Sequence, residues 1–144
     1  MPRVPLVDDS TEFGARAARR LREEKLGWLT TVRSDGTPVP VPVWFLWDGD
    51  GSFLIYSRPD TAKLRNIARS PHVSLSLDGD GQGGDIVVVL GEARVDQGGP
   101  PADRVPEYLE KYMWGLEKNG WTPAAFAADY SVPVRVTGLG LRGH

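Results

Sequence analysis

Between residues 38 and 43 the chain reads Pro38-Val39-Pro40-Val41-Pro42-Val43, followed by Trp44. Proline has no backbone N–H, and alternate residues of a strand direct that group to the same edge. Prolines at 38, 40 and 42 therefore strip one edge of its donors, and no neighbouring strand can ladder fully onto it. Such a segment borders a gap in a barrel, with carbonyls left for a ligand or partner subunit, or it is an edge strand protected against aggregation. The spacing serves both equally. The odd-numbered valines are expected to face a core, with Pro42 and Trp44 turned the other way.

The rest of the chain supplies the partners. A two-residue period marks strands over 28–32, 39–47 and 52–57, joined by turns at Ser34-Asp35-Gly36-Thr37 and Asp48-Gly49-Asp50-Gly51. Asp60 is the expected cap of a short helix over 61–68, which Ser70-Pro71 closes. Strands over 73–77 and 86–95 flank the glycine-rich hairpin at 79–84, and the first half of the latter, apolar on both faces, is expected to be buried on both. A break at 97–101 leads to a helix from Asp103 to Lys118, a short helix over 123–128 and a last strand over 132–141. Near the N-terminus, Asp9 and Glu12 have capping-box spacing before a helix with Phe13, Ala17 and Leu21 on one stripe. Arg16, Arg19, Arg20 and Arg22 are expected to form its solvated face. The pattern predicts one mainly β domain over 1–144 with accessory helices: six antiparallel strands in a closed or split barrel, a loose arm at 1–9 and a helical insertion at 100–130. A parallel dinucleotide-binding sheet is not expected, since strand–helix alternation and a G-x-G-x-x-G after a strand are both missing.

Composition narrows the function classes. The net charge of −2 provides no global field for nucleic acid or an anionic membrane, so any anion site must be local. Cysteine is absent, which removes disulfides, thiolate metal sites and cysteine nucleophiles and suits a reducing cytoplasm. No signal-like apolar run follows Met1, and the longest apolar stretch, 86–90, is far short of a membrane span. The expectation is a cytoplasmic protein. His72 and His144 lack metal-ligand spacing, and no nucleophile elbow or Walker loop occurs. An enzyme of this kind relies on a cofactor for its reactive atom, and no catalytic side chain is singled out; Tyr56, Tyr112 and Tyr130 are conceivable proton donors.

One segment reads as an anion site. Tyr56-Ser57-Arg58-Pro59-Asp60-Thr61-Ala62-Lys63 lies where a strand ends and a helix begins, so first-turn N–H groups point outward with the positive end of the dipole. Ser57 and Thr61 add hydroxyls, and Lys63 in that first turn opposes the dipole unless an anion is present. A capped surface helix with solvated Arg58, Lys63 and Arg65 is the simpler alternative. Trp114, Trp121, Tyr108 and Tyr112 form a late aromatic group that suits core, an interface or a stacking wall for a ring system.

Together these motifs resemble the pyridoxamine 5′-phosphate oxidase-like flavoproteins. The resemblance is carried by Gly27-Trp28-Leu29-Thr30-Thr31-Val32, Asp35-Gly36-Thr37-Pro38, Pro42-Val43-Trp44-Phe45, and Tyr56-Ser57-Arg58 with Lys63 and Asn66. Gly91-Glu92-Ala93-Arg94-Val95, Val134-Arg135-Val136-Thr137 and the Arg142-Gly143-His144 ending extend it over residues 12–144. The Ser57-Arg58-Pro59 and Lys63 junction and the helical insertion are similar to the branch that uses coenzyme F420, a deazaflavin. The resemblance implies an FMN-binding split-barrel fold of six strands and a homodimer with cofactor sites at the subunit interface. It also implies a phosphate grip by Arg58 and Lys63 and a ring bordered by Val41, Pro42, Val43 and Trp44, with Tyr56, Ser57, Thr61 and Asn66 completing the cofactor site. The oxidase's C-terminal substrate motif is not evident, so oxidation of vitamin B6 is not implied. The implied function is F420-dependent hydride transfer to an unsaturated small molecule. FMN-dependent chemistry on the same fold and a non-enzymatic carrier or protein-binding barrel are the alternatives.

Overall fold

A computed structural model describes residues 4–144. It is mainly β: a curled antiparallel sheet forming a half-barrel, with accessory helices. In chain order the elements are α1 (Glu12–Glu23), β1 (Gly27–Val32), β2 (Pro38–Val43), β3 (Leu46–Trp47), β4 (Ser52–Ser57) and α2 (Ala62–Arg69). Then come β5 (His72–Ser76), β6 (Val87–Val95), a single 3-10 turn (Ala102–Arg104), α3 (Pro106–Lys118), α4 (Pro123–Asp129) and β7 (Val132–Gly143).

The strands are ordered β2-β1-β5-β6-β7-β4-β3, so β2 and β3, adjacent in sequence, lie at opposite edges. The barrel is split between them. In the β1–β2 ladder Pro38, Pro40 and Pro42 face Val32, Thr30 and Trp28. Only the valines of β2 can donate across that ladder, and the donor-free side is the open edge.

The expected strand over 39–47 is two strands, which makes seven rather than six. The chain leaves the sheet at Trp44 and Phe45 because helix α3 takes over the Phe45 backbone. The Phe45 N–H donates to Tyr112 Oη at 2.8 Å, and its carbonyl accepts from Lys111 Nζ at 2.8 Å. β6 and β7 shift register between Leu90 and Gly91; a Cβ on Gly91 would lie 2.4 Å from the Thr137 carbonyl oxygen, so only glycine fits this bulge.

Several local expectations are corrected. The cap of α1 is Thr11, whose side chain accepts from the Gly14 N–H, not Asp9. The cap residue of α2 is Thr61, without a side-chain capping bond, and Asp60 instead adopts a left-handed φ of 62°. α3 starts at Pro106 after the 3-10 turn, as suits a residue with no N–H to leave unpaired. Arg20 is buried, not solvated: its guanidinium holds the carbonyls of Asp78 and Asp85 and pairs with Glu24, pinning both ends of the glycine-rich hairpin. β6 is covered on one face only, since Leu90 is 40% exposed, whereas β4 is buried on both. In the expected loose arm, Leu6 and Val7 pack against the barrel interior, and residues 1–3 lie outside the described residues. No described helix is long and apolar enough to cross a membrane.

Candidate functional site

Strand β4 alternates so that Phe53 and Ile55 enter the barrel while Leu54 and Tyr56 face outward beneath α3 and α4. Where this outer layer meets the end of β2 a cleft of about 260 Å³ opens. Its lining combines Pro42, Val43 and Trp44 with Tyr56, Lys63, Tyr108, Trp121, Phe126 and Tyr130, and Leu26 and Asn119 stand at its edge. Trp44 is held as a fixed wall. Its ring stacks on Tyr112 at 4.6 Å and 9°, and a Cβ on Gly115 would lie 2.7 Å from it, so α3 needs glycine there. The Phe45 backbone bonds anchor the next residue to α3. Lys111, which makes one of them, lies 3.9 Å from the centre of the Phe45 ring. Burial, helped by nearby Lys25 and opposed by Glu24, pulls its ammonium down to about 8.

Electrostatically the cleft is defined by Lys63. Its ammonium is half-buried and donates to Ser57 Oγ at 3.1 Å, and no carboxylate among the described residues lies within ion-pair distance of it. Desolvation lowers its affinity for the proton. Ser57 Oγ is also 3.1 Å from Thr61 Oγ1, so the two hydroxyls and the ammonium cluster at the uncapped N-terminus of α2. A half-buried cation beside free helical N–H groups is unfavourable until an anion neutralises both. Arg58 is exposed, pairs with Asp129 at 2.9 Å, and lies over the Tyr130 ring at 5.0 Å. The cleft therefore has a cationic side at Lys63 and an aromatic side opposite in character.

Of the ten residues proposed from sequence, Pro42, Val43, Trp44, Tyr56 and Lys63 line this cleft. Ser57 and Thr61 reach it through the hydroxyl cluster, and Arg58 stands at its margin, tied to α4. Val41 and Asn66 are elsewhere. Val41 packs on the barrel interior, and Asn66 is buried, donating to Thr31 Oγ1 at 3.0 Å across the rim of the core. The sequence reading did not place Leu26, Asn119 and Phe126 at the site. Phe126 sits on a seven-residue helix with no distinguishing pattern, and only its packing against Trp44 at 5.7 Å reveals it. Of the conceivable donors, Tyr56 and Tyr112 spend their hydroxyls on backbone carbonyls. Among the described residues no group of acidic or histidine side chains could hold a metal.

The model of a family described as pyridoxamine 5′-phosphate oxidase matches residues 13–127. No curated protein matches the chain. Among solved structures, the conserved hypothetical protein Rv2991 from Mycobacterium tuberculosis aligns over 99% of this chain and 88% of its own, with a TM-score of 0.70 and 24% identity. An F420 reductase aligns over 86% of this chain and 94% of its own, with a TM-score of 0.63 and 26% identity. General Stress Protein 26 from Bacillus anthracis aligns over 86% of this chain and 87% of its own, with a TM-score of 0.60 and 19% identity. At 24% and 19% identity the likeness is one of fold.

Proposed function

The chain belongs to the pyridoxamine 5′-phosphate oxidase family of flavin-binding oxidoreductases, and from that premise we propose that it is an F420-dependent reductase acting on an unsaturated small molecule. The observation that carries the reading is Lys63, a half-buried ammonium without an anionic partner among the described residues, set beside an aromatic cleft. Lys63, Ser57, Thr61 and the α2 N-terminus would hold the cofactor phosphate. Arg58 would join them by exchanging Asp129 for the phosphate, at small cost because that ion pair is exposed on both sides. Pro42, Val43 and Trp44 would border the ring. When bound, the deazaflavin supplies a hydride from its ring carbon C5. The protein's part is to orient the ring against Trp44 and to exclude water through the aromatic lining. The 26% identity to an F420 reductase favours the deazaflavin. The family match by itself serves FMN equally well, and FMN chemistry is the second reading.

A homodimer with the cofactor at the interface accompanies this proposal. Its support is the uncovered sheet face, where Trp28 is 36% and Leu90 40% exposed. The donor-free edge of β2 resists extension of the sheet, so a second copy would pack face to face. Both parts are tested on the purified protein by separate titrations with F420 and FMN, followed by cofactor fluorescence, alongside a light-scattering mass. F420 binding to a dimer is the expected result. Tight FMN binding without F420 binding would overturn the deazaflavin assignment, and a mass of one chain would remove the interface site.

A further inference from the structure

We infer that the Tyr108 hydroxyl is the hydrogen-bond donor this cleft presents to its ligand, and that the ligand is a flat conjugated ring carrying a carbonyl oxygen. The inference rests on the cleft being the binding site proposed above. Tyr108 is 1% exposed yet lines the cleft. Its ring is locked by neighbours: edge-on to Tyr56 at 5.0 Å, tilted against Tyr112 at 4.9 Å and near-parallel to Phe126 at 6.1 Å. The two adjoining tyrosines have partners for their hydroxyls. Tyr56 donates to the Pro100 carbonyl at 2.8 Å, and Tyr112 bonds the backbone of Phe45 and Lys25. The Tyr108 hydroxyl has no hydrogen-bond partner among the described residues. The ring is fully packed, but the oxygen is not among the sealed side-chain atoms that lack a partner, so it keeps an opening, and the cleft is a space this residue lines. Tyr130 also lines the cleft without a side-chain hydrogen bond, but it is only half-buried and carries the Arg58 guanidinium over its ring at 5.0 Å.

The chemistry of the ligand follows from what surrounds the hydroxyl. Burial pushes the Tyr108 phenol well above its ordinary range, with Tyr112, Tyr56 and Tyr130 reinforcing the shift. It stays protonated and acts as a donor, so its partner must be an acceptor. An anionic group would go to Lys63, which leaves a neutral oxygen for Tyr108. Trp44, Trp121, Phe126 and Tyr130 make the lining predominantly aromatic, and a conjugated ring is the shape that packs best against such side chains. Such a carbonyl ring could belong to the cofactor or to the substrate.

Tyr108→Phe removes one oxygen and keeps the packed ring, so the fold is retained. Wild type and Tyr108→Phe would be titrated with F420, FMN, 1,4-naphthoquinone and naphthalene, following tryptophan and cofactor emission. Roughly tenfold weaker binding of a carbonyl-bearing ring, with naphthalene unaffected, is the expected result. A loss on F420 or FMN assigns the contact to the cofactor ring, and a loss on naphthoquinone alone assigns it to the substrate. Unchanged affinities throughout, or an equal loss for naphthalene, would overturn the inference. If wild type binds neither cofactor but the naphthoquinone difference persists, the proposed function fails and the Tyr108 contact stands. If wild type binds none of the carbonyl rings, both fail.

Discussion

Strand β4 is shared by two apolar layers made of different side chains. On its inner side Phe53 and Ile55 join Leu29, Leu75, Val87, Val89, Val134 and Val136, all fully buried. On its outer side Leu54 and Tyr56 join Tyr108, Tyr112, Leu116 and Phe126, with Trp44, Trp121 and Tyr130 only partly covered. Aliphatic chains interdigitate to high density and leave a ligand nothing to address. Large rigid rings with polar tips pack around residual space, and each tip needs a partner. The cleft is that space. On the function proposed above, one strand thus divides the labour of the molecule, with stability concentrated on its inner face and recognition on its outer.

The sharpest way to break this division is Leu75→Ala in the inner layer. The loss should be about 2–5 kcal/mol, read from urea unfolding, because a fully buried leucine leaves a cavity that strands on both sides prevent from closing. A cost below 1 kcal/mol would mean the inner layer is not the stabilising one. The outer layer should instead reveal itself through pH. Lys111 is depressed to about 8 in the fold, against about 10.4 in an unfolded chain. Between those values the unfolded state binds a proton that the folded state does not, so stability rises with pH, by about 1–3 kcal/mol, from about 8 towards 10. Lys111→Met should flatten that rise in unfolding midpoints taken at neutral and alkaline pH. The same slope in the variant would sink the assignment. Lys63→Ala should have the smallest effect on folding, within about 0.5 kcal/mol, because it removes a cation with no ionic partner. Yet it should weaken cofactor binding by at least about tenfold in the fluorescence titration. A variant that loses stability instead would make Lys63 structural.

Much of the fold was legible locally. A strand turns successive side chains to opposite faces, so alternation in 28–32 and 52–57 exposed the sheet, and the missing donors of Pro38, Pro40 and Pro42 marked its open edge. The caps were less legible. Asp9, Thr11, Asp60 and Thr61 are all chemically competent, and the choice among them depends on how the incoming chain is aimed. The same limit hid the break at Trp44 and Phe45, which exists because Lys111 and Tyr112, over sixty residues away, supply the bonds that a strand neighbour would have made.

By itself, then, the order of residues determined most of the elements but not their ends, together with the donor-free edge and the Ser57–Lys63 cluster, because turn chemistry, side-chain alternation and helix-terminus charge act over a few neighbouring positions. Only the tertiary structure decided on which face of β4 the cleft opens. It also settled that Tyr56 and Tyr112 are occupied while Tyr108 is not, and that Asn66 holds the barrel rim instead of lining the cleft. Each of those outcomes turns on whether a polar atom finds its partner across the packed layers, and helical spacing in α3 carries no record of that.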